Sequence, residues 1–388
     1  MRRAAILILV AVTIYVPALA KGPIKVGVSL AQTGRFAVIA NMQAKAFRLW
    51  ERQVNQHGGI LGRTVQVIIR DDHSDPQQAR KIYDDFLQNK GVDFLFGPYS
   101  TLITAAVLPL AEKARCPLLI TGAAGDSLWE KGYHYALGVF TPSSKFSAGF
   151  IELLVRAGID NLAVVYQDDP FSKDLARSVQ VLSHRYGLTV VLCDKLTPDI
   201  SQWSDYAQRI RSEGADAVAV CGHFDEAVGM RRAFKSIGWR PQAYYASVGP
   251  PLPAYHDTLG ADADRVFSTS LFEERANFPG ARHFVEHFTA AFGQAPGYHA
   301  ALAYAGGQVL AAAIRTADSL DREKVRSALF SMDTMTIIGR YGVDRTGKQM
   351  RQHNFIVQWQ DGKKEIVWPE TVRSATPRFE NAPTDNTR

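Results

Sequence analysis

Two acid-rich segments have residue types and spacings that could bind a metal ion or transfer protons. Asp71-Asp72-His73-Ser74-Asp75 and Asp168-Asp169-Pro170 each stand between a β-rich run and a helical pattern. Acidic residues in that position also cap the free N–H groups of the following helix. We expect capping at the first segment, because no nucleophile or further metal ligand accompanies it. At the second segment, capping and contact with a ligand are both expected.

Ser100 and Thr101 form a hydroxyl pair at the start of a predicted helix. They follow Gly97-Pro98, where a predicted strand ends. Hydroxyl groups beside the free N–H groups of a helix start make a seat for a carboxylate or another acceptor. Ser and Thr are also common as plain N-caps, and one residue can do both. The pair is therefore predicted to bind a ligand, with capping as the alternative.

The common signatures of catalysis and metal binding are missing from the sequence. We find no nucleophile elbow, phosphate-binding glycine loop, dinucleotide fingerprint, zinc-protease motif or C-x-x-C pair. His283 and His287 are four residues apart on a predicted helix and could share a metal ion. No partner ligand stands at a motif spacing, so solvated helix positions are the better interpretation. The sequence therefore predicts no catalytic residue, no metal and no cofactor.

From Ile24 onwards, β-rich runs alternate with helical patterns, which is typical of parallel sheets with helices on both faces. The first strands are predicted at Ile24–Leu30, Val65–Arg70, Val92–Phe96 and Pro117–Thr121, with helices near 37–56, 76–89 and 101–114. A second set of strands is predicted at Leu162–Tyr166, Leu188–Cys193, Ala217–Cys221 and Gln242–Ser247, with helices near 172–186, 202–213 and 225–238. The repeated layout predicts an α/β protein of two similar Rossmann-like lobes.

The rest of the chain adds three helices and a hairpin. The helices are predicted near 279–292, 297–317 and 321–330, and the hairpin pairs Phe355–Gln358 with Glu365–Trp368 around Asp361-Gly362. In open α/β sheets, ligands bind beyond the carboxyl ends of the strands. The loops expected there are Ala31–Phe36, Gly97–Thr101, Gly122–Asp126, Asp168–Phe171, Gly222–Phe224 and Val248–Pro251. The sequence thus predicts one cleft between the lobes, with His223 in one of its loops.

The first 20 residues are predicted to be an export signal. Arg2 and Arg3 precede an apolar run from Ala4 to Val16, and Ala18-Leu19-Ala20 fits a cleavage site after Ala20. An uncleaved anchor is the alternative, but the run is short for a membrane span. The net charge of +6 is spread along the chain, so no nucleic-acid patch is indicated.

The 388-residue chain contains three cysteines, at positions 116, 193 and 221. An odd number leaves at least one thiol unpaired. Cys193 and Cys221 are expected to end strands that flank a third strand, which places them beyond disulfide distance. We expect three buried thiols and no bridge.

Several stretches, in their order, resemble the periplasmic binding proteins of ABC transporters, of the leucine/isoleucine/valine-binding type. The matching stretches are Ile24-Lys25-Val26-Gly27-Val28 through Thr33-Gly34, Asn55 to Gly62, Asp71-Asp72 with Asp75-Pro76, Phe96-Gly97-Pro98 with Ser100-Thr101, Ala163-Val164-Val165-Tyr166 with Asp168, and Tyr304 within Ala300–Ile314. The resemblance extends from about residue 24 to residue 368. It implies a type I periplasmic binding fold, with three crossovers between lobes that hinge around a ligand.

The resemblance also implies discontinuous lobes. Lobe 1 would comprise residues 21–141 and 271–335, and lobe 2 would comprise 142–270 and 336–368. Residues 369–388 are polar and are expected to form a loose tail. The crossovers are expected near Thr141, Ser270 and Thr336.

By the same resemblance, Ser100 or Thr101 would hold the ligand carboxylate, together with the backbone at Ala123. The chain departs from the amino-acid binders at several positions. Gly125 stands where a Thr is usual, Val248 aligns near the acid that takes the ligand ammonium, and Phe171 and Ile39 replace tyrosines. Ser74 and Ser100 occupy the positions of a disulfide found in some members.

These departures bear on the ligand, because a buried ammonium needs a counter-charge. Asp168, Asp169, Asp126 or Asp225 could supply it. An apolar wall of Phe36, Ile39, Phe171 and Val248 would instead suit an aromatic or aliphatic carboxylate, or an amide. The ligand class stays open between these and an amino acid.

The sequence favours a monomeric, exported solute-binding protein that closes around a small molecule and delivers it to a membrane permease. A periplasmic sensor of the same fold is the second hypothesis, because its export signal would look alike. An enzyme on a related scaffold is the third, and the missing motifs count against it.

Overall fold

The computed structural model describes residues 22–89, 91–197 and 199–380. The expected export signal at 1–20 lies outside these residues. Among the residues that are described, no helix is long and apolar enough to cross a membrane.

The first sheet contains five parallel strands in the order β2-β1-β3-β4-β5. Its strands are β1 (Ile24–Ser29), β2 (Val65–Arg70), β3 (Phe94–Phe96), β4 (Leu118–Ile120) and β5 (Ala136–Gly138). The connecting helices are α1 (Ala37–Gln56), α2 (Pro76–Gln88) and α3 (Thr101–Lys113). Strands β3 and β4 are buried and apolar on both faces, because helices cover both.

Local sequence explains where these helices begin. Asp75 accepts a hydrogen bond from the Gln77 N–H at 2.9 Å, and Pro76 occupies the first helical position of α2. Asp71 and Asp72 accept hydrogen bonds within the same loop and from the chain after β1. The expectation of capping is confirmed at Asp75, and its neighbours fix the loop onto β1.

The second sheet contains seven strands in the order β14-β13-β10-β9-β8-β6-β7. Its elements up to the return crossing are α4 (Ala148–Ala157), β6 (Asn161–Tyr166), α5 (Pro170–Arg185), β7 (Thr189–Lys195), α6 (Trp203–Ser212), β8 (Ala217–Cys221), α7 (Phe224–Ser236), β9 (Ala243–Ala246), α8 (Pro253–Leu259) and β10 (Val266–Ser270). The pairs are parallel from β7 to β10, and β13 and β14 add an antiparallel edge.

The remaining elements are α9 (Ala281–Phe292), α10 (Tyr298–Ala317), α11 (Arg322–Ser331), β11 (Thr334–Thr336), β12 (Gly339–Tyr341), β13 (Phe355–Gln360) and β14 (Lys363–Trp368). Helix α10 packs against α1, so the chain returns to the first sheet before β13 and β14 join the second. We call the first sheet with its helices lobe 1 and the second sheet with its helices lobe 2. The predicted α/β class with two Rossmann-like halves is confirmed.

The hydrophobic core is continuous across the two lobes. One cluster includes Val26 of β1, Phe36, Tyr99, Phe171 and Tyr245 of β9, and it extends through the contact between the lobes. A second cluster fills the other face of lobe 2 around Trp203 and Phe234. The strand ends of both lobes therefore meet in a largely apolar contact.

The structure adds elements that the sequence pattern did not predict. They are the short strands β5, β11 and β12, the strand β10 and the helices α4 and α8. The segment 369–380 also differs from the expected loose tail, because Arg265 binds Glu380 at 2.9 Å and the Arg378 N–H donates to Gln358. Residues 381–388 lie outside the described part of the chain.

The cysteines depart from expectation at one position. All three thiols are free, and Cys116 and Cys221 are buried, but Cys193 is exposed. Strand β6 does lie between the strands of Cys193 and Cys221. The prediction that Cys193 is buried is wrong because its strand, β7, is the edge of the sheet and one of its faces is open to solvent.

Gly307 tests the packing of α10 on α1. A Cβ atom at Gly307 would lie 2.2 Å from Cδ2 of Trp50. We expect Gly307→Ala to lower the free energy of unfolding by about 1–3 kcal/mol, through overpacking, although Ala favours helices. Urea denaturation measures the change in the free energy of unfolding. Thr316→Ala, at an exposed position of the same helix, is the control and should be neutral or stabilising. A stabilised Gly307→Ala variant would contradict the packing.

Candidate functional site

Four rings from both lobes meet at the strand ends. Phe36 and Tyr99 come from lobe 1, and their ring centroids are 5.2 Å apart. Phe171 and His223 come from lobe 2, with centroids 5.5 Å apart. Phe36 contacts His223 across the gap at 5.3 Å. We call these four side chains the aromatic wall.

The loops that carry the wall are helix starts. Phe36 precedes α1, Phe171 lies in the first turn of α5, and His223 is the N-cap of α7. Tyr99 lies between β3 and α3. Parallel strands place these loops at one edge of each sheet, which is why residues so distant in sequence come together.

A hydrogen-bonded chain crosses the wall. The Tyr99 hydroxyl lies 2.9 Å from His223 Nδ1, and His223 Nε2 lies 3.5 Å from Asp169 Oδ2. Burial raises the pKa of the Tyr99 phenol well above its ordinary value, so the phenol keeps its proton. A carboxylate only accepts, so His223 Nε2 donates to Asp169, and Nδ1 faces the Tyr99 hydroxyl. The chain runs from lobe 1 to a carboxylate of lobe 2.

Asp169 is held as a carboxylate by this chain. Burial alone would raise its pKa, but the hydrogen bond and charge of His223, with hydrogen bonds from Ser172, lower it below the ordinary value. Asp169 also caps α5 through the Ser172 N–H at 3.0 Å. Capping is therefore confirmed at the second acid-rich segment too.

Polar contacts also close the edges of the gap. Arg35 of lobe 1 reaches Glu226 of lobe 2 at 3.1 Å and Gln167 at 2.7 Å. Ser127 of lobe 1 donates from its hydroxyl to Asp174 of α5 at 2.7 Å. A cavity of about 290 Å³ opens beside Arg35, and its lining includes Asp168, Trp203, Asp225 and Glu226.

The predicted hydroxyl pair is buried at the start of α3. Ser100 is the N-cap residue, but its side chain does not cap its own helix. The Thr101 hydroxyl accepts a hydrogen bond from the Gly125 N–H at 3.1 Å. Ala123 is buried in the same loop. Ser100, Thr101, Ala123 and Gly125 therefore lie together in lobe 1, next to Tyr99 of the wall.

The other predicted residues divide into two groups. Ile39 in α1 and Val248 after β9 are buried in the cluster that spans both lobes. Asp168 lies apart from them, because it is about half exposed and forms ion pairs with Lys173 at 2.5 Å and Lys195 at 3.0 Å. The structure thus brings Phe36, Phe171 and His223 together and leaves Asp168 at the edge.

Sequence reasoning missed several residues of this contact. They are Arg35, Tyr99, Phe140, Tyr298 and His299. Tyr99 could have been found, because it lies inside the predicted loop Gly97–Thr101. Tyr298 and His299 begin α10, and nothing local in the sequence shows that this helix starts at the contact between the lobes.

The histidine pair on α9 and the acid-rich loops form no metal centre. The rings of His283 and His287 are 3.8 Å apart, and His287 Nδ1 lies 2.8 Å from the Gln53 amide. Within 22–89, 91–197 and 199–380, no group of three His, Cys, Asp or Glu side chains is placed to hold a metal ion.

Comparisons with known proteins agree with this architecture. A family described as periplasmic binding protein matches residues 23–364. A leucine/isoleucine/valine-binding protein homolog of Brucella abortus is 26% identical over 387 residues, covering 95% of each chain.

Two solved structures share the fold. LivJ of Streptococcus pneumoniae, in complex with isoleucine, has a TM-score of 0.80 at 20% identity, over 89% of this chain and all of that one. A solute-binding protein of Rhodopseudomonas palustris, in complex with benzoate, has a TM-score of 0.78 at 17% identity, over 94% of this chain and all of that one.

Asp169→Asn tests the charge in the hydrogen-bonded chain. The folded-state pKa of Asp169 lies below the unfolded value of about 3.9. The ionised group therefore stabilises the protein above about pH 4, and that stability is lost as the pH falls through the folded pKa. Asn can still cap α5. We expect the variant to lose about 1–2 kcal/mol at pH 7, and the difference from wild type to shrink below about pH 4.

Denaturation at a series of pH values measures this difference. Asp75→Asn is the matched control, because Asp75 caps α2 without a histidine partner. It should cost only a few tenths of a kcal/mol. Equal losses for the two variants at pH 7 would show that His223 does not stabilise the Asp169 charge.

Proposed function

The chain belongs to the periplasmic binding protein family, and from that premise we propose that it is a monomeric periplasmic solute-binding protein for aromatic carboxylates. The ligand would lie between the lobes, against the aromatic wall, with its carboxylate at Ser100. The protein would bind and release this ligand unchanged. Export is supported by the Arg2-Arg3 pair and apolar run at the start of the sequence.

The start of α3 supports the position of the carboxylate. Ser100 is 5% exposed and does not cap its own helix, so its hydroxyl is available to an acceptor. The first N–H groups of a helix have no partner within it, and the helix dipole favours negative charge there. A carboxylate is the small anion that fits this combination of donors.

The aromatic wall supports the nature of the rest of the ligand. Phe36, Tyr99 and Phe171 present ring faces and edges, and aromatic ligands prefer such offset or edge-on partners. Phe140 and Phe146 continue the apolar surface, and the Phe146 ring lies 5.9 Å from that of Phe171. The flat ring of an aromatic ligand would insert into the aromatic wall. Its contacts with the wall residues would replace those that these residues now make with one another.

The state of the acidic side chains is the observation that carries the proposal. Asp126 binds Lys348 at 3.0 Å, Asp169 is bound to His223, and Glu226 is bound to Arg35. Asp168 is engaged by two lysines, and Asp225 is exposed. Among these five acids, only Asp225 has no ion pair, and it is exposed, so an amino acid buried at the aromatic wall would leave its ammonium unpaired, which is costly. A carboxylate without an amine avoids that cost.

Closure between the lobes would follow from the contacts that cross the gap. Tyr99 to His223, Arg35 to Glu226 and Ser127 to Asp174 join the lobes directly. A ligand that contacts both lobes adds to these contacts only in the closed form, and so shifts the equilibrium toward it.

Delivery to a permease of an ABC transporter completes the proposal. Its support is the family, together with the benzoate-bound structure from Rhodopseudomonas palustris, which is named as the solute-binding protein of an ABC transporter. Uptake of radiolabelled benzoate by cells that lack the gene should fall, and the wild-type gene should restore it. Unchanged uptake would point away from transport and toward sensing.

A thermal-shift measurement tests the ligand class. We expect benzoate to raise the melting temperature, because it binds only the folded protein, and leucine to leave it unchanged. Ser100→Ala/Thr101→Ala should abolish the benzoate shift. Ser212→Ala/Thr316→Ala, at exposed positions, is the control and should keep it. A shift with leucine but not with benzoate would overturn the proposed ligand.

A further inference from the structure

His299 is a buried histidine with an unused hydrogen-bonding atom. It is the second residue of α10 and is 1% exposed. Its Nδ1 is buried without a hydrogen-bond partner. A buried polar atom left unpaired costs free energy, and such atoms are rare enough in folded proteins that each needs an explanation.

The start of α10 lies where the lobes meet. The Gly297 N–H contacts Met42 Sδ of lobe 1 at 3.1 Å, and a Cβ at Gly297 would lie 3.1 Å from Leu252 of lobe 2. The His299 ring packs edge-on against Tyr99 at 5.4 Å. Since Tyr99 belongs to the aromatic wall, His299 extends the wall with a polar side chain.

The surroundings keep the His299 imidazole neutral. Burial, and then the nearby His223, lower its pKa to about 3. The ring also contacts Phe140 at 6.2 Å and stacks on Tyr298 at 3.9 Å. A neutral imidazole has one donor and one acceptor nitrogen. Nδ1 can therefore donate or accept, depending on the tautomer, and a hydroxyl group, which can also do both, pairs with either form.

From this geometry we propose that His299 is a specificity residue, whose Nδ1 hydrogen-bonds a hydroxyl group on the ring of the bound aromatic acid. The inference rests on the proposed function and refines it. The ligand class becomes the hydroxylated aromatic carboxylates, held by Ser100 at the acid group and by His299 at the hydroxyl. The hydroxyl provides the partner that Nδ1 lacks.

Calorimetric titration with four acids tests the proposal. Benzoate and its three monohydroxy isomers are titrated into the wild-type protein and into two variants. At least one hydroxy isomer should bind the wild type about tenfold or more tightly than benzoate. His299→Phe should lose the preference for the hydroxy isomer over benzoate. His299→Asn, whose amide can replace Nδ1, should retain part of it.

The outcomes of this titration distinguish a failure of the His299 role from a failure of the proposed ligand class. If benzoate binds and no isomer binds better, or if His299→Phe keeps the full preference, the role of His299 is overturned while the aromatic-acid site stands. If the wild type binds none of the four acids, the proposed ligand class falls and the role of His299 falls with it. Circular dichroism and melting of each variant show whether a lost preference reflects misfolding.

Discussion

The hydrogen-bonded chain from Tyr99 through His223 to Asp169 is the contact on which the arrangement of the lobes depends. Its first member belongs to lobe 1 and the other two to lobe 2. Tyr99 and His223 are buried and Asp169 is partly buried, so each would be costly to leave unpaired. These hydrogen bonds therefore hold the loop after β3 against the loop after β8. The aromatic rings beside them are positioned as a consequence.

The same hydrogen bonds limit the charge that a ligand between the lobes can carry. The Asp169 carboxylate is already matched by His223, and the Glu226 carboxylate is matched by Arg35. A second buried positive charge would need a carboxylate from elsewhere, and the side chains that could offer one are either exposed or paired. The helix start at Ser100, in contrast, has donors that a negative group could use. For the proposed ligand, charge balance is therefore a stronger argument than shape.

The sequence predicted the parts of the fold that rest on local patterns. Strands such as Val65–Arg70 and Ala217–Cys221 were predicted at their observed bounds, because apolar β-rich runs are bounded there by clear turns. Strand β5, with three residues, is too short to give such a pattern. Strand β10, with the sequence Val-Phe-Ser-Thr-Ser, has polar residues that are buried only because neighbouring strands and Phe146 accept their hydrogen bonds.

The candidate site was predictable to the extent that it follows from strand ends. Phe36, Ser100, Phe171 and His223 lie in loops after parallel strands, and such loops share one edge of a sheet. Tyr298 and His299 lie at a helix start that reaches the cleft only because α10 packs on α1, where Gly307 allows the close approach of Trp50. That packing joins residues about 250 positions apart, so no local sequence pattern predicts the contact between α10 and α1.

Ser100 and His299 both lie beside Tyr99, and they differ in the groups that they can bind. At Ser100 the partners are a hydroxyl, which can donate, and the first N–H groups of a helix, which only donate, so a charged acceptor is favoured. At His299 the partner is a neutral ring that can donate or accept, enclosed by Tyr99, Phe140 and Tyr298. A ligand that binds both residues would carry its charge at Ser100 and a neutral polar group at His299.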